Sequence, residues 1–342
     1  MFNLNHLTTI YFQEIFSRVG RVCKKDSGGP QRFRNKWTTF VKARLNCSVP
    51  GLYPFHFNQI QSVSPLIRSP AGDERVFAVF NTPENSITGS AVCSFSMDDI
   101  RDSFDSSPFK VQRDVNSNWL PLPQHQEPRT RPGKCHQNSR DLDDEHLNFV
   151  KENILMDRSV PSLLEIPHYI KTNPHERLTA IAADPGLVTT SGEVVDVLYV
   201  GTTRGRVLKL VTQGQETSLI EEIQLFPLHV SVSNILVVPQ SAEITGGRLV
   251  VLSEHEVKSF PLARCEAAGA TSCGSCVGLR DPYCAWSVPS QACISPRQSQ
   301  EDSSVLLQNI GQGRHQGCPP TYSGSSGDDQ HLVSFLLARA ES

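Results

Sequence analysis

No run in this sequence of 342 residues approaches the roughly 18 consecutive apolar residues of a membrane-spanning helix; Leu332 to Ala338 is far too short. The first residues, Met1-Phe2-Asn3-Leu4-Asn5-His6, have no basic start, no apolar core of leader length and no cleavage site. A net charge of −3 gives no global pull toward nucleic acid, so no nucleic-acid partner is expected. A catalytic constellation is also lacking, because the histidines are scattered and not paired at ligand spacing. Two acidic clusters occur, Asp98, Asp99 and Asp102, then Asp141, Asp143, Asp144 and Glu145. Neither has the alternating oxygens and glycine turn of a calcium loop, and both read as solvated helix faces. The expectation is therefore no catalytic site, no metal site and no cofactor.

What is present is cysteine, unevenly spread. Of ten cysteines, four lie in residues 1–135, six in 265–318, and 136–264 hold none. An even, clustered set points to an oxidising compartment and an extracellular protein. The second group fills 54 residues, from Cys265 to Cys318, with gaps of seven, two, seven, eight and twenty-four residues. A segment this short needs staples to fold securely. Zinc would want two Cys-x-x-Cys knuckles, or one knuckle and a histidine pair. Only Cys273 and Cys276 form such a pair, and His315 stands alone. A redox pair would want a preceding strand and a helix start, whereas Gly274 and Ser275 favour a turn. Three bridges in a small module is the reading, with fifteen connectivities open at this point. A disulfide-rich chain without an export signal is most simply a piece of a longer one.

A hydrophobic content of 38% and a charged content of 20% suit a globular chain. Ile10 to Phe16 fits either strand or helix. Short apolar runs separated by Pro, Gly and Asn turns then follow at 17–22, Trp37 to Cys47, Phe55 to Val63, Val76 to Phe80 and Gly89 to Phe95. The pattern breaks at Met97 to Phe104, where Met97, Ile100 and Phe104 stand at helical spacing behind Ser96. Asp141 to Met156 is a second amphipathic candidate beyond the Pro-rich 121–132 stretch. Together they read as a helical surface excursion over about 96–165. From Leu178 the strands return, with a hairpin turning at Gly201 to Arg206 and further strands at 221–226, 235–238, 249–252 and 257–262. The class is all-β, and a propeller and a sandwich both fit.

Between Ser17 and Asn46 nine Lys/Arg face one acid, Asp26. Arg32, Arg34 and Lys36 alternate, as do Lys42 and Arg44, which predicts basic strand faces within 18–44. Such faces suit a sulfated glycan or an acidic partner, set against a plain solvated strand. Asn46-Cys47-Ser48 is the chain's N-x-Ser/Thr sequon and makes Asn46 a candidate glycan acceptor.

Arg280-Asp281-Pro282-Tyr283-Cys284-Ala285-Trp286, behind Cys273 and Cys276, resembles the PSI module of plexins, semaphorins and integrins. RVCKKD-x-GG at 21–29, KARLNCSVPG at 42–51, GSAVCSF at 89–95, Asn118 to Pro121, RPGKC at 131–135, DVLYVGTTRGRVLKL at 196–210 and FPLARC at 260–265 closely resemble the semaphorin (Sema) domain. The wording is most like invertebrate class 1 and, more distantly, vertebrate class 6.

The resemblance implies part of a seven-bladed propeller over 17–263, extruded at about 96–165. A PSI module at 264–319, a linker at 320–342 and an unmatched stretch at 1–16 complete the division. About the second half of the ring would be present, leaving open strand edges. The resemblance further implies the pairs Cys23–Cys135, Cys47–Cys93, Cys265–Cys284, Cys273–Cys318 and Cys276–Cys293, with Asp281, Tyr283 and Trp286 as structural core. The outer bridge would contribute about 4–5 kcal/mol by the chain-entropy estimate.

The implied function is an extracellular guidance ligand in axon guidance and cell migration, binding a plexin receptor and forming a homodimer. The alternatives are a plexin-like receptor ectodomain, a secreted enzyme with polar residues converging in the propeller channel, and an inert partial gene product. Peptide mapping without reduction should return these five pairs; scrambled pairs or free thiols would count against the resemblance.

Overall fold

The computed structural model describes residues 15–69, 72–84, 86–114, 117–240, 246–266 and 269–319. The residues expected as strand or helix at 10–14, most of the unmatched 1–16 stretch and the expected linker 320–342 lie outside them. The described residues form three successive antiparallel sheets, arranged as propeller blades, a helical excursion and a small bridged module.

The first blade has the order Gln59–Val63, Glu74–Asn81, Ser90–Ser96, Tyr169–Lys171, with Ile67–Arg68 also pairing the second of these. Its two middle strands are almost wholly buried, which explains their continuous apolar runs. Side chains alternate across a strand, so each strand serves two cores at once. Ala78, Phe80, Ala91, Cys93 and Phe95 pack with Val41, Ala43 and the excursion. Phe77, Val79 and Val92 turn the other way, onto Ile181, Leu198, Val200, Leu208 and Leu210 of the next blade.

The second blade runs Leu178–Val188, Val194–Thr202, Arg206–Gln213, Glu216–Gln224. Its opposite face, with Ala180, Val197, Tyr199 and Val207, meets Ile235, Leu249 and Val251 of the third blade. Gly205 turns the second hairpin at φ +70°, and a Cβ there would lie 2.6 Å from the Phe226 carbonyl oxygen. The third blade holds Asn234–Val238, Arg248–Leu252 and Val257–Pro261.

The excursion leaves the first blade between its third and fourth strands. Ser96 caps the helix Met97–Ser106 by accepting from the Asp98 N–H, and Ile100 and Phe104 are buried. Asp143 caps Asp144–Glu152 in the same way, accepting from the His146 N–H at 2.7 Å. The returning chain bridges Lys42 through Leu155 and Leu45 through Val160, so Val41–Arg44 is held from both sides, with Arg18–Arg21 as its other neighbour.

Four expectations need correction. The strand expected over Trp37 to Cys47 is confined to Val41–Arg44. Arg32, Arg34 and Lys36 form no strand, because Gln31–Phe33 is a 3-10 turn that buries Phe33. Phe55 to Val63 is not one strand. It breaks at Phe57 and Asn58, where Phe57 is buried and the Asn58 carbonyl accepts from Ser17. Gly274 and Ser275 lie in the helix Cys273–Gly278, because Ser272 and Ser275 close a capping box that outweighs their turn preference.

The bridged module rests on the second blade through buried polar contacts. Lys209, in the middle of an apolar strand, is fully buried, and its ammonium donates to the Asp281 carboxylate and to the Leu262 carbonyl at 3.3 Å. The same ammonium stands 4.6 Å from the Tyr283 ring centre, while the Tyr283 hydroxyl donates to Asp184. The Gln308 amide donates to the carbonyls of Asp281, Pro282 and Cys284 and accepts from the Thr190 N–H at 2.9 Å. Trp286 is buried behind them among the cysteines. Removing one partner of such a pair leaves the other charge buried and unpaired. Lys209→Met and Asp281→Asn should each destabilise the chain by about 3–5 kcal/mol in denaturant unfolding. The double change to Met and Leu should recover most of that loss.

Candidate binding surface

An apolar groove lies between the 33–40 segment and the excursion. One wall is the 33–40 segment with Phe33, Lys36, Trp37, Thr38 and Phe40; the other is Leu147, Val150, Lys151 and Ile154. The groove encloses about 230 Å³. Trp37 is 64% exposed at its mouth, its ring 6.1 Å from that of Phe40, and both lysines are exposed on the rim. An exposed tryptophan over an apolar floor with a cationic rim is an arrangement for docking a partner.

The wall carrying Trp37 is fixed from behind by Asp26. Its carboxylate accepts from the N–H groups of Gly28 at 2.9 Å, Thr38 at 2.8 Å and Thr39 at 2.9 Å, and from the Thr39 hydroxyl at 2.6 Å. Burial alone pushes this carboxyl up, but the Thr39 hydroxyl and the three N–H groups outweigh it. The group therefore sits below the usual carboxylate range. Ser139 ties the same turn to the excursion, donating to the Gly28 carbonyl at 2.9 Å and accepting from the Ser27 N–H at 3.1 Å. Gly29 permits close approach, since a Cβ there would lie 2.8 Å from Phe33 and 3.1 Å from Leu147. Cys23 and Cys135 join the two parts covalently across a sequence separation of 112.

The other half-cystines pair as Cys47–Cys93, Cys265–Cys284, Cys273–Cys318 and Cys276–Cys293, with no free thiol among the described residues. Asn46 is half-buried, its side-chain oxygen 3.1 Å from His56 Nδ1. Lys42 and Arg44 share the outer face of Val41–Arg44, as their alternation predicts, and Arg18 stands opposite Arg44 on the neighbouring strand. Arg18 and Arg44 stack on Phe16 at 5.7 and 4.3 Å, and Arg44 donates to Asn58. Arg21 pairs with Asp105 at 2.9 Å. The acidic clusters are likewise engaged: Asp98 pairs with Arg101, Asp102 with Arg158, and Asp143 is a helix cap. Among the described residues no group of three or more His, Cys, Asp or Glu is placed to hold a metal ion, and no helix is long and apolar enough to cross a membrane.

Sequence reasoning reached Asp26 only as part of a motif and missed the groove. Its walls are more than a hundred residues apart, and the one local sign was a tryptophan, Trp37, within a basic run.

Comparison with known proteins follows the same division. The Sema domain model matches residues 60–239 and the Plexin repeat (PSI) model residues 264–319. Semaphorin-1A of Drosophila melanogaster is 42% identical over 325 residues, covering 89% of this chain and 36% of that protein. Semaphorin-6A of Mus musculus is 37% identical, covering 82% of this chain and 29% of that protein. The chain thus spans about a third of the length of these relatives. A solved structure, Drosophila Plexin A in complex with Semaphorin 1b, contains a chain 40% identical to this one. It superposes with a TM-score of 0.78 over 86% of this chain and 59% of that one. Plexin A4 shares only the fold, at 18% identity and a TM-score of 0.56.

The Asp26 contacts set a pH dependence. A carboxyl lowered in the folded chain contributes stability above its unfolded value of about 3.9 and loses it as pH falls through the lowered value. The protection of the Thr38 and Thr39 amides, taken relative to the intrinsic exchange rate at each pH, should fall on acidification below about pH 4. Asp26→Asn should destabilise the clamp by about 1–3 kcal/mol at neutral pH and remove that acid dependence. Unchanged exchange in the variant would show that the clamp does not hold the wall.

Proposed function

This chain belongs to the semaphorin family, signalling proteins and not enzymes, and from that premise we propose that it acts outside the cell as a ligand for a plexin receptor. The observation that carries the reading is the 40% identity and common fold with the semaphorin found in complex with Plexin A. Its chemistry is surface complementarity alone, in axon guidance and cell migration. The excursion groove supplies the contact: Trp37 as a large apolar anchor, Phe40 and Val150 as floor, and Lys36 and Lys151 as cations toward an acidic patch on the receptor. Ten paired cysteines favour the oxidising exterior of the cell. There Asn46 serves as the acceptor of an N-linked glycan, and glycosidase treatment should shift the mass of the secreted chain but not of Asn46→Gln.

Binding to an immobilised plexin ectodomain, followed by surface plasmon resonance, tests the assignment. Trp37→Ala should weaken binding by about 2 kcal/mol, roughly thirtyfold. Lys151→Glu should mainly slow association, with a reduced salt dependence. Both side chains are exposed, so melting temperatures should stay within about two degrees of the parent. Parent-like binding by both variants would place the receptor elsewhere on the chain.

A further inference from the structure

We propose that the Cys23–Cys135 bridge is a thiol–disulfide exchange site, opened by a dithiol reductant of the thioredoxin class, and that its opening loosens the groove. The bridges are not equally protected. Cys23, Cys47, Cys93, Cys265, Cys273, Cys276, Cys284 and Cys293 are buried, and Cys318 is half-buried. Cys135 alone is exposed. It also lies in the wall of an open cavity of about 480 Å³ that it shares with Arg21, Asp105, Gly133 and Lys134. Exchange requires a thiolate to reach one sulfur from outside, and among the ten half-cystines this is the one with both exposure and a recess for the incoming group.

The charges around the bridge favour the same step. Lys134 precedes Cys135, Lys24 and Lys25 follow Cys23, and all three ammonium groups are exposed. They attract an incoming thiolate and stabilise the one that leaves. Of the acids at hand, Asp105 in the same cavity is paired with Arg21, and Asp26, three residues after Cys23, accepts from the Thr38 and Thr39 N–H groups.

The chemistry balances as a two-electron exchange. The reductant's thiolate attacks Cys135 Sγ, the Cys23–Cys135 bond breaks, and Cys23 leaves as a thiolate that takes up a proton. The reductant's second thiol then attacks the mixed disulfide, freeing the Cys135 thiol as the reductant closes its own disulfide. What remains is the hydrogen bonding of Ser27 and Gly28 to Ser139, with the burial around it, and the backbone bridge from Lys42 to Ile154 and Met156 just past the wall. The 33–40 wall is then held to the excursion at its Lys42 end and loosened at the end that Cys23 anchored. The effect on receptor binding rests on the plexin reading above; the exchange itself does not.

The oxidised chain, incubated with reduced thioredoxin under native conditions, is trapped with a maleimide over time and mapped by mass spectrometry. Cys23 and Cys135 should label about tenfold faster than any other pair, reflecting access. Earlier labelling of Cys273 and Cys318, or even labelling of all five pairs, overturns the proposal. Amide exchange over residues 33–40 is followed in the same samples and should rise as this pair is labelled. Labelling without faster exchange refutes the link to the groove whether or not the oxidised chain binds plexin. Where it does bind, affinity should fall about tenfold on reduction and return on reoxidation, and unchanged affinity likewise refutes the link.

Discussion

Double-sided burial governs this molecule. The middle strands of the first two blades have almost no solvent face, so on them every alternate residue must find a different neighbour. Phe77 and Phe80 stand three residues apart on one strand yet belong to separate cores, one shared with the next blade and one with the excursion. A one-residue slip in register would exchange the two sets and empty both cores together. The excursion is tolerated because it departs where the chain reaches a rim, between two strands, and leaves the alternation of both intact.

Against that apolar background the charged groups stand out by position. Lys209 occupies an inward site among the Val, Leu and Thr of its strand, and the Asp281 carboxylate, with the Leu262 carbonyl and the Tyr283 ring, makes its burial tolerable. Such a pair adds little net stability over an apolar replacement, but it disfavours other dockings of the module on the blade. Asp26 acts similarly at the opposite end of the described chain. Its contacts are to backbone N–H groups, so it fixes the course of a turn more than the position of any one side chain.

Much of the fold was legible, because alternation and caps are local. Ser96 announced a helix start, and Gly201 to Arg206 announced a hairpin, from a few neighbouring residues. The failures share a cause in longer reach. Arg32 to Lys36 has a strand-like charge pattern, but the demand to bury Phe33 beside Leu147 folds it into a turn. The Cys273–Gly278 helix, with Gly and Ser among its residues, exists through one capping box and the bridges at its two cysteines. The groove and the Lys209 junction each join residues far apart in sequence, and neither half carries a sign of the other.

The place where the excursion departs sets an order of events on the ribosome. Gln59–Val63, Glu74–Asn81 and Ser90–Ser96 emerge together and pair locally, and Cys47 and Cys93 are then both available to bridge. The blade's outer strand, Tyr169–Lys171, and the partner of Cys23 arrive only after much or all of the excursion has been made. During that interval, several seconds at usual elongation rates, Cys23 is an unpaired thiol and Ser90–Ser96 an uncovered edge. A nascent chain in this condition is exposed to mispairing of the thiol and of the edge until the excursion docks. Substitutions that delay the excursion's docking should then reduce the yield of folded chain before they alter the finished fold.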